Sequence, residues 1–152
     1  MTAVPLTVQI RPGSVADAEA IADLSGQLGY PSTAAQVRER FALMERGGAF
    51  AVSLAEVGGR VVGFVICHGV YSLQRDPCGE IGGLIVDADH RNLRIGEHLV
   101  AAAEAWARAQ GFSEMIVHSN VIRADAHRFY GRLGYGIVKA QQYFRKEMIA
   151  GE

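Results

Sequence analysis

Residues 80–111 combine an apolar strand, a polar loop and a strongly amphipathic helix, and this order constrains the fold more than any other feature. Residues 80–86 (EIGGLIV) form a short apolar run. After the loop, four apolar residues recur at helical spacing: Ile95, Leu99, Ala103 and Trp106. The next apolar run, Met115-Ile-Val-His118, predicts a returning strand. A strand–helix–strand crossover requires a parallel strand pair with a helix against one face of the sheet.

Strand-like and helix-like patterns alternate through the rest of the chain. Ser14 and Thr33 open capping-box-like sequences, and the helices that follow are expected to end at Gly29 and Gly47. Gly58-Gly59 predicts a hairpin, because both central positions of such a turn need a positive φ. The predicted strands are residues 6–11, 49–54, 61–67, 80–86, 115–118, 135–139 (Tyr135 to Lys139) and 142–146 (Gln142 to Lys146), and the last helix is 123–133.

These elements predict an α+β fold of mixed α/β order. Its mixed central β-sheet has six to seven strands and is flanked by about four helices, with helices on both faces. A chain of 152 residues fits one domain of ordinary size, so we predict a single domain over residues 1–152.

The composition excludes several classes of protein. Fifteen basic and sixteen acidic residues give a net charge of −1, which provides no bulk attraction to nucleic acid or to an anionic membrane. Cys67 and Cys78 are too few for a disulfide framework and lack the spacing of a zinc site. The N-terminus lacks the pattern of a signal peptide. We therefore expect a cytoplasmic protein with no metal, no nucleic-acid partner and no membrane partner.

The loop His90-Arg-Asn-Leu-Arg-Ile-Gly96-Glu97 has the features of an anion site. A helix N-terminus exposes unpaired N–H groups and carries partial positive charge. Arg91 and Arg94 add charged donors, and Gly96 lets the main chain approach a ligand closely. The pattern predicts that this loop binds a diphosphate, and the alternative is a basic surface turn that begins a helix.

Two stretches resemble the motifs of the GNAT superfamily of N-acetyltransferases. Arg91-Asn-Leu-Arg-Ile-Gly96 is similar to the acetyl-CoA signature Arg/Gln-x-x-Gly-x-Gly/Ala, with Arg94 in place of the first glycine. Residues 120–135, from Asn120 through Tyr130 to Tyr135, resemble the other core motif of the family. The resemblance implies a GNAT-like fold and direct acetyl transfer from acetyl-CoA to a primary amine of a small molecule or protein.

The resemblance also implies roles for individual residues. Tyr130 would protonate the leaving thiolate, and Glu80 would take the proton of the amine, directly or through water. Glu80 would also contact the amine. Independently of the resemblance, Tyr30 and Tyr71 lie in loops of the kind where recognition varies, and their ring faces could contact the amine, although packing explains them equally well. The residues expected to bind acetyl-CoA are Leu84, Ile85 and Val86 through their backbone, Arg91, Asn92, Leu93, Arg94, Ile95, Gly96 and Glu97 in the loop, and Asn120 and Tyr130 in the second motif.

Other interpretations remain open from the sequence. A catalytically silent acyl-CoA-binding regulatory module would share the same motifs, and a basic-loop nucleic-acid binder is disfavoured by the net charge. An acetyl-enzyme on Cys78 is disfavoured because no base is adjacent. We interpret His68, His118 and His127 as structural or exposed rather than catalytic. If Glu80 is not the base, the amine proton would go to bulk water or to a residue such as His68 or Tyr71. The identity of the amine and the presence of a homodimer are left open.

Overall fold

The computed structural model describes residues 7–119 and 123–149. The chain divides into two compact units, Met1–His118 and Ser119–Glu152. The single domain predicted over residues 1–152 stays a prediction.

The first unit contains all the strands of the described residues and three of the helices. Strands β1 to β5 span Val8–Pro12, Phe50–Val57, Arg60–Val70, Cys78–Val86 and Met115–Val117. Helices α1, α2 and α3 span Ala18–Gln27, Ala34–Arg46 and Ile95–Ala109, with short 3-10 helices at Val15–Asp17 and Ala88–Leu93.

The strands form one mixed sheet in the order β1-β2-β3-β4-β5. Neighbours from β1 to β4 are antiparallel, whereas β4 and β5 run parallel, as the crossover through α3 requires. The hairpin between β2 and β3 turns at Gly58 and Gly59, whose φ values of 59° and 78° confirm the predicted turn.

Helices cover both faces of this sheet. On one face, α1 and α2 pack against apolar side chains of the strands, including Leu54, Phe64 and Ile85. The neighbouring residue Gly63 faces the other way, since side chains alternate along a strand. A Cβ at Gly63 would lie 3.2 Å from Leu99 and 3.3 Å from Ile95, so the absence of a side chain there allows α3 to lie close to the sheet.

The predicted capping boxes mark the starts of two helical segments. The capping boxes at Ser14 and Thr33 are both present, although Ser14 opens the 3-10 helix that leads into α1 rather than α1 itself. β4 begins two residues earlier than predicted, because the amide of Gly79 bonds to the carbonyl of Glu114 at 3.0 Å and extends the ladder.

The second unit holds α4, Ala124–Arg132, and an irregular segment after it. The predicted strands Tyr135–Lys139 and Gln142–Lys146 are not strands, so the described residues form five strands and not six to seven. A strand needs a neighbour to complete its hydrogen-bond ladder and a surface to cover its apolar face. In residues 135–149, Val138 and Phe144 are instead 92% and 89% exposed, and no ladder forms.

Candidate active site

The connection between β4 and α3 is a compact polar turn. β4 ends at Val86, and the amide of Asp87 then donates to the carbonyl of Val62 on β3 at 2.7 Å. The 3-10 helix Ala88–Leu93 follows, and α3 begins directly after Arg94. The predicted loop residues therefore all lie between the end of β4 and the first turn of α3.

Arg94 adopts a left-handed backbone conformation, with φ 56° and ψ 29°. Within the described ranges it is the one residue other than glycine with positive φ. This is the position where the sequence pattern has arginine in place of glycine. The arginine therefore occupies the glycine-type turn instead of reshaping it, and it retains an exposed guanidinium beside the helix start.

The first turn of α3 keeps its backbone donors available. Capping boxes cover the helix starts at Ser14 and Thr33, whereas the side chain of Arg94, the N-cap residue of α3, makes no capping hydrogen bond. The first amides of a helix point outward along its axis and have no partner within the helix. The start of this 15-residue helix, with Arg91 and Arg94 exposed beside it, therefore suits an anionic group.

A side-chain network fixes the start of the turn to the end of α1. The amide nitrogen of Gln27 donates to the Asp87 carboxylate at 2.7 Å, and its oxygen accepts from the Ala88 amide at 3.1 Å. The other carboxylate oxygen of Asp87 lies 2.7 Å from Nδ1 of His90. These hydrogen bonds, the one from Gln27 foremost, lower the pKa of Asp87. The network holds the turn in place from its first residues.

β4 has a free outer edge beyond Ile81. β5 pairs only with Gly79, Glu80 and Ile81 in the described part of the chain. Beyond that point, the register of β3 shifts from Cys67 opposite Ile81 to Ile66 opposite Gly83, which places a bulge at Gly82. The backbone of Leu84, Ile85 and Val86 therefore borders β3 on one side and pairs with no strand of the described residues on the other, so an extended ligand can pair with it.

Two histidines share the carboxylate of Glu80. Oε2 of Glu80 lies 2.7 Å from Nε2 of His68, its cross-strand partner on β3, and Oε1 lies 2.6 Å from Nδ1 of His118, just after β5. The Glu80 side chain is 18% exposed, whereas His68 and His118 are 38% and 69% exposed. We call these three residues the carboxylate–imidazole cluster.

Sequence reasoning singled out Glu80 as the base and named His68 only as a substitute for it, without pairing the two residues. It treated His68 and His118 as unconnected, and it placed Glu80 at the start of its strand, whereas Glu80 is the third residue of β4. The cluster depends on the register of β3 against β4 and on the parallel pairing of β5. A seven-residue connection separates β3 from β4, so no tight turn fixes that register in the sequence.

Tyr130 lies in the second unit, on α4. Its ring packs against Phe129 and Tyr135, with centroids 5.1 Å and 5.7 Å away. Burial raises the pKa of Tyr130, and the positive charge of Arg123 opposes that shift in part. The phenol therefore keeps its proton at neutral pH. Asn120, the other predicted residue of this motif, lies outside the described residues.

The two tyrosines predicted to contact the amine are exposed on the first unit. Tyr30 follows α1 and is 70% exposed, and Tyr71 follows β3 and is 64% exposed. Tyr71 packs edge-on against Phe112, with ring centroids 6.1 Å apart. Both rings are accessible to a ligand, and their contact with an amine stays a prediction.

The two thiols are poor nucleophiles in this fold. Cys67 and Cys78 are 2% and 1% exposed. Burial raises the pKa of Cys67 to about 11 and also raises the pKa of Cys78. Because the thiolate is the reactive form, burial disfavours an acetyl-enzyme on Cys78.

The described residues offer neither a metal-binding group nor a membrane-spanning helix. Residues 7–119 and 123–149 contain no group of three His, Cys, Asp or Glu side chains placed to hold a metal ion. Every helix in those ranges is too short or too polar to cross a membrane.

Known proteins resemble this chain in sequence and in fold. The chain is 40% identical over 93 residues to the aminoalkylphosphonate N-acetyltransferase of Salmonella typhimurium, which covers 60% of this chain and 58% of that protein. It is 33% identical over 106 residues to N-acetyltransferase 8B of Rattus norvegicus, covering 67% of this chain and 45% of that protein. The chain thus spans about half the length of these curated relatives.

A solved structure has the same fold at low sequence identity. The aminoglycoside N-acetyltransferase AAC(6')-Iy, in complex with CoA, superposes with a TM-score of 0.84 at 18% identity, over 97% of this chain and 100% of that chain. Residues 18–135 match the Acetyltransferase (GNAT) family, and this range includes β4, the turn at Arg94, α3 and the second motif. The chain therefore belongs to the GNAT acetyltransferase family.

Proposed function

We propose that this protein transfers the acetyl group of acetyl-CoA directly to a primary amine of a small molecule. The observation that carries the proposal is the β4–α3 junction, where a free strand edge leads into a left-handed turn and an uncapped helix start. Membership of the GNAT family and the CoA complex of a structural neighbour support it. A small-molecule acceptor is favoured over a protein amine because the most identical of the relatives named above is called an aminoalkylphosphonate N-acetyltransferase.

The residues of the junction suit the parts of acetyl-CoA. The exposed guanidinium groups of Arg91 and Arg94 and the first amides of α3 would bind the diphosphate. The unpaired edge of β4 at Leu84, Ile85 and Val86 would bind the pantetheine arm as an added strand. When bound, acetyl-CoA supplies an activated thioester carbonyl, which backbone amides of this edge would polarise.

The proton transfers are assigned to two other groups. The carboxylate–imidazole cluster around Glu80 would receive the proton that the amine loses. Tyr130, held protonated by its burial, would donate a proton to the departing thiolate. Tyr30 and Tyr71 would contact the amine beside the cluster. A cytoplasmic location and a homodimer stay predictions.

A panel of amines tests the function. The purified chain is incubated with acetyl-CoA and, in turn, an aminoalkylphosphonate, an aminoglycoside, free amino acids and a lysine-containing peptide, and release of the free CoA thiol is measured. We expect turnover with at least one small amine and none with the peptide. Arg91→Ala is the matched control, because weaker donor binding must raise the KM for acetyl-CoA if the activity belongs to this chain.

The outcome also separates the alternative function. Acetyl-CoA binding measured by calorimetry, with no thiol release for any amine, would instead support a silent acyl-CoA-binding module. Turnover with the peptide alone would move the acceptor class from small molecules to proteins.

A further inference from the structure

The tautomers of the cluster follow from the close N···O contacts of the two rings with Glu80, at 2.7 Å and 2.6 Å. An ionised carboxylate accepts hydrogen bonds and cannot donate them, so each imidazole nitrogen that faces Glu80 must carry the hydrogen. His68 is therefore protonated on Nε2, with its lone pair on Nδ1. His118 is protonated on Nδ1, with its lone pair on Nε2. The cluster thus presents two imidazole lone pairs, one on each side of a shared carboxylate.

The lone pair of His68 lies where β4 loses its outer neighbour. A Cβ at Gly82 would lie 3.3 Å from Nδ1 of His68, so this edge of the ring borders a residue with no side chain. Gly82 is exposed, lies in the β4 bulge, and directly follows the last residue of β4 that pairs with β5. Within residues 7–119, the one polar contact of the His68 ring is that of Nε2 with Oε2 of Glu80, at 2.7 Å. In that part of the chain, Nδ1 is therefore left without a partner beside Gly82 at this edge of β4.

Glu80 itself is less available to an amine. Oε1 is hydrogen-bonded to His118 at 2.6 Å, Oε2 lies 2.7 Å from Nε2 of His68, and the Glu80 side chain is 18% exposed. An amine that approached the carboxylate would have to compete with one of the rings. His118 holds the second oxygen and is 69% exposed, so its own lone pair is screened by solvent.

We propose that His68 is the general base of the acetyl transfer and that Glu80 positions it. This inference rests on the function proposed above and assigns its proton acceptor to one atom. The amine nitrogen forms the new C–N bond, the C–S bond breaks with its electron pair on sulfur, and the surplus amine proton goes to Nδ1 of His68. The carboxylate of Glu80 stabilises the resulting imidazolium through its ion-pair contact with Nε2, and the proton then leaves to solvent.

Glutamine variants provide the kinetic test. In the chain with its best amine, we expect His68→Gln to lower kcat about 10²–10⁴-fold, with the KM for acetyl-CoA within about twofold of wild type. Glu80→Gln should also lower kcat, because its amide cannot accept from both rings. The double variant should be no slower than His68→Gln alone, since the two residues act as a unit. His98→Gln, at an exposed histidine of α3, is the matched control.

A second measurement determines the tautomer of His68 without turnover. In nitrogen-15 spectra of the histidine rings at pH 8, we expect His68 to carry its proton on Nε2 in wild type. Glu80→Gln should redistribute that proton between the two ring nitrogens, because the glutamine NH₂ can also donate to the ring. These spectra also show whether each variant is folded, so a loss of activity through unfolding is recognised.

The results that would overturn the assignment are distinct from those that would overturn the function. If wild type acetylates an amine and His68→Gln keeps kcat within about threefold, His68 is not the base, whatever the acceptor. A decrease in kcat of the double variant equal to the product of the two single decreases would also refute it. So would a wild-type His68 that carries its proton on Nδ1. No turnover by wild type with any amine would refute the proposed function first, and the base role with it.

Discussion

Arg94→Gly should stabilise this protein, although it removes a whole side chain. A residue with a Cβ in the left-handed region costs roughly 1–2 kcal/mol relative to its ordinary conformations. Glycine removes that cost, but it also raises the conformational entropy of the unfolded chain. That entropy lowers the free energy of unfolding by roughly 0.5–1 kcal/mol. Since Arg94 is exposed and its side chain makes no cap for α3, little packing is lost. The difference is a gain of about 0.5–1 kcal/mol in the free energy of unfolding.

Urea unfolding of wild type, Arg94→Gly and Arg94→Ala measures this gain. The alanine variant removes the same guanidinium but keeps a Cβ at φ 56°, so it should stay within about 0.5 kcal/mol of wild type. For a chain of this size, the glycine variant should melt roughly 1–4 °C higher. Arg94→Val should be the least stable of the set, because a β-branched residue tolerates this conformation worst.

A glycine variant that is less stable than the alanine variant would contradict the reasoning. It would mean that the turn does not hold Arg94 in the left-handed region in solution. Acetyl-CoA affinity is a separate readout of the same variants, because both lose the charge beside the helix start and both should bind the cofactor more weakly than wild type.

Three further predictions concern the cofactor, the acid and the pH dependence of folding. Arg91→Ala should weaken acetyl-CoA binding by about 1.5–3 kcal/mol in calorimetry, and an unchanged Kd in the folded variant would exclude a phosphate contact. Tyr130→Phe should lower kcat about 10²–10⁴-fold with little change in Tm, and normal turnover would assign the proton to another donor. Because its pKa is lowered in the folded state, Asp87 stabilises the fold above its ordinary pKa of about 3.9, and this contribution is lost as pH falls below it. Asp87→Asn should therefore flatten the acid side of the curve of unfolding free energy against pH, and a curve parallel to wild type would refute this.

Features encoded within a few residues could be predicted from the sequence. The capping boxes at Ser14 and Thr33 and the turn at Gly58 and Gly59 depend on side chains and φ preferences of adjacent residues. The crossover through α3 was predicted from helical periodicity between two apolar runs. The motif at Arg91 depends in the same way on one short segment, so its place between β4 and α3 could also be predicted.

Features that depend on partners distant in the sequence could not be predicted. Residues 142–146 have the composition of a strand, but a strand requires a neighbour that its own sequence does not specify, and Phe144 is exposed. The pairing of His68 with Glu80 depends on the register across a long connection. The bulge at Gly82, which leaves Nδ1 of His68 beside an open edge, interrupts that register and has no local signature beyond a pair of glycines.

Gln27 links two parts of the molecule that are expected to bind different substrates. It is the last residue of α1, directly before the segment with Tyr30, and its side chain holds Asp87 and Ala88 at the start of the diphosphate turn. If one substrate orders both that turn and the segment after α1, its binding changes the affinity of the protein for the other substrate. That change is a coupling free energy. Such coupling is reciprocal, so acetyl-CoA would tighten amine binding by the same factor by which the amine tightens acetyl-CoA binding. Synergistic binding of the two substrates would then be encoded by one amide side chain at the end of α1.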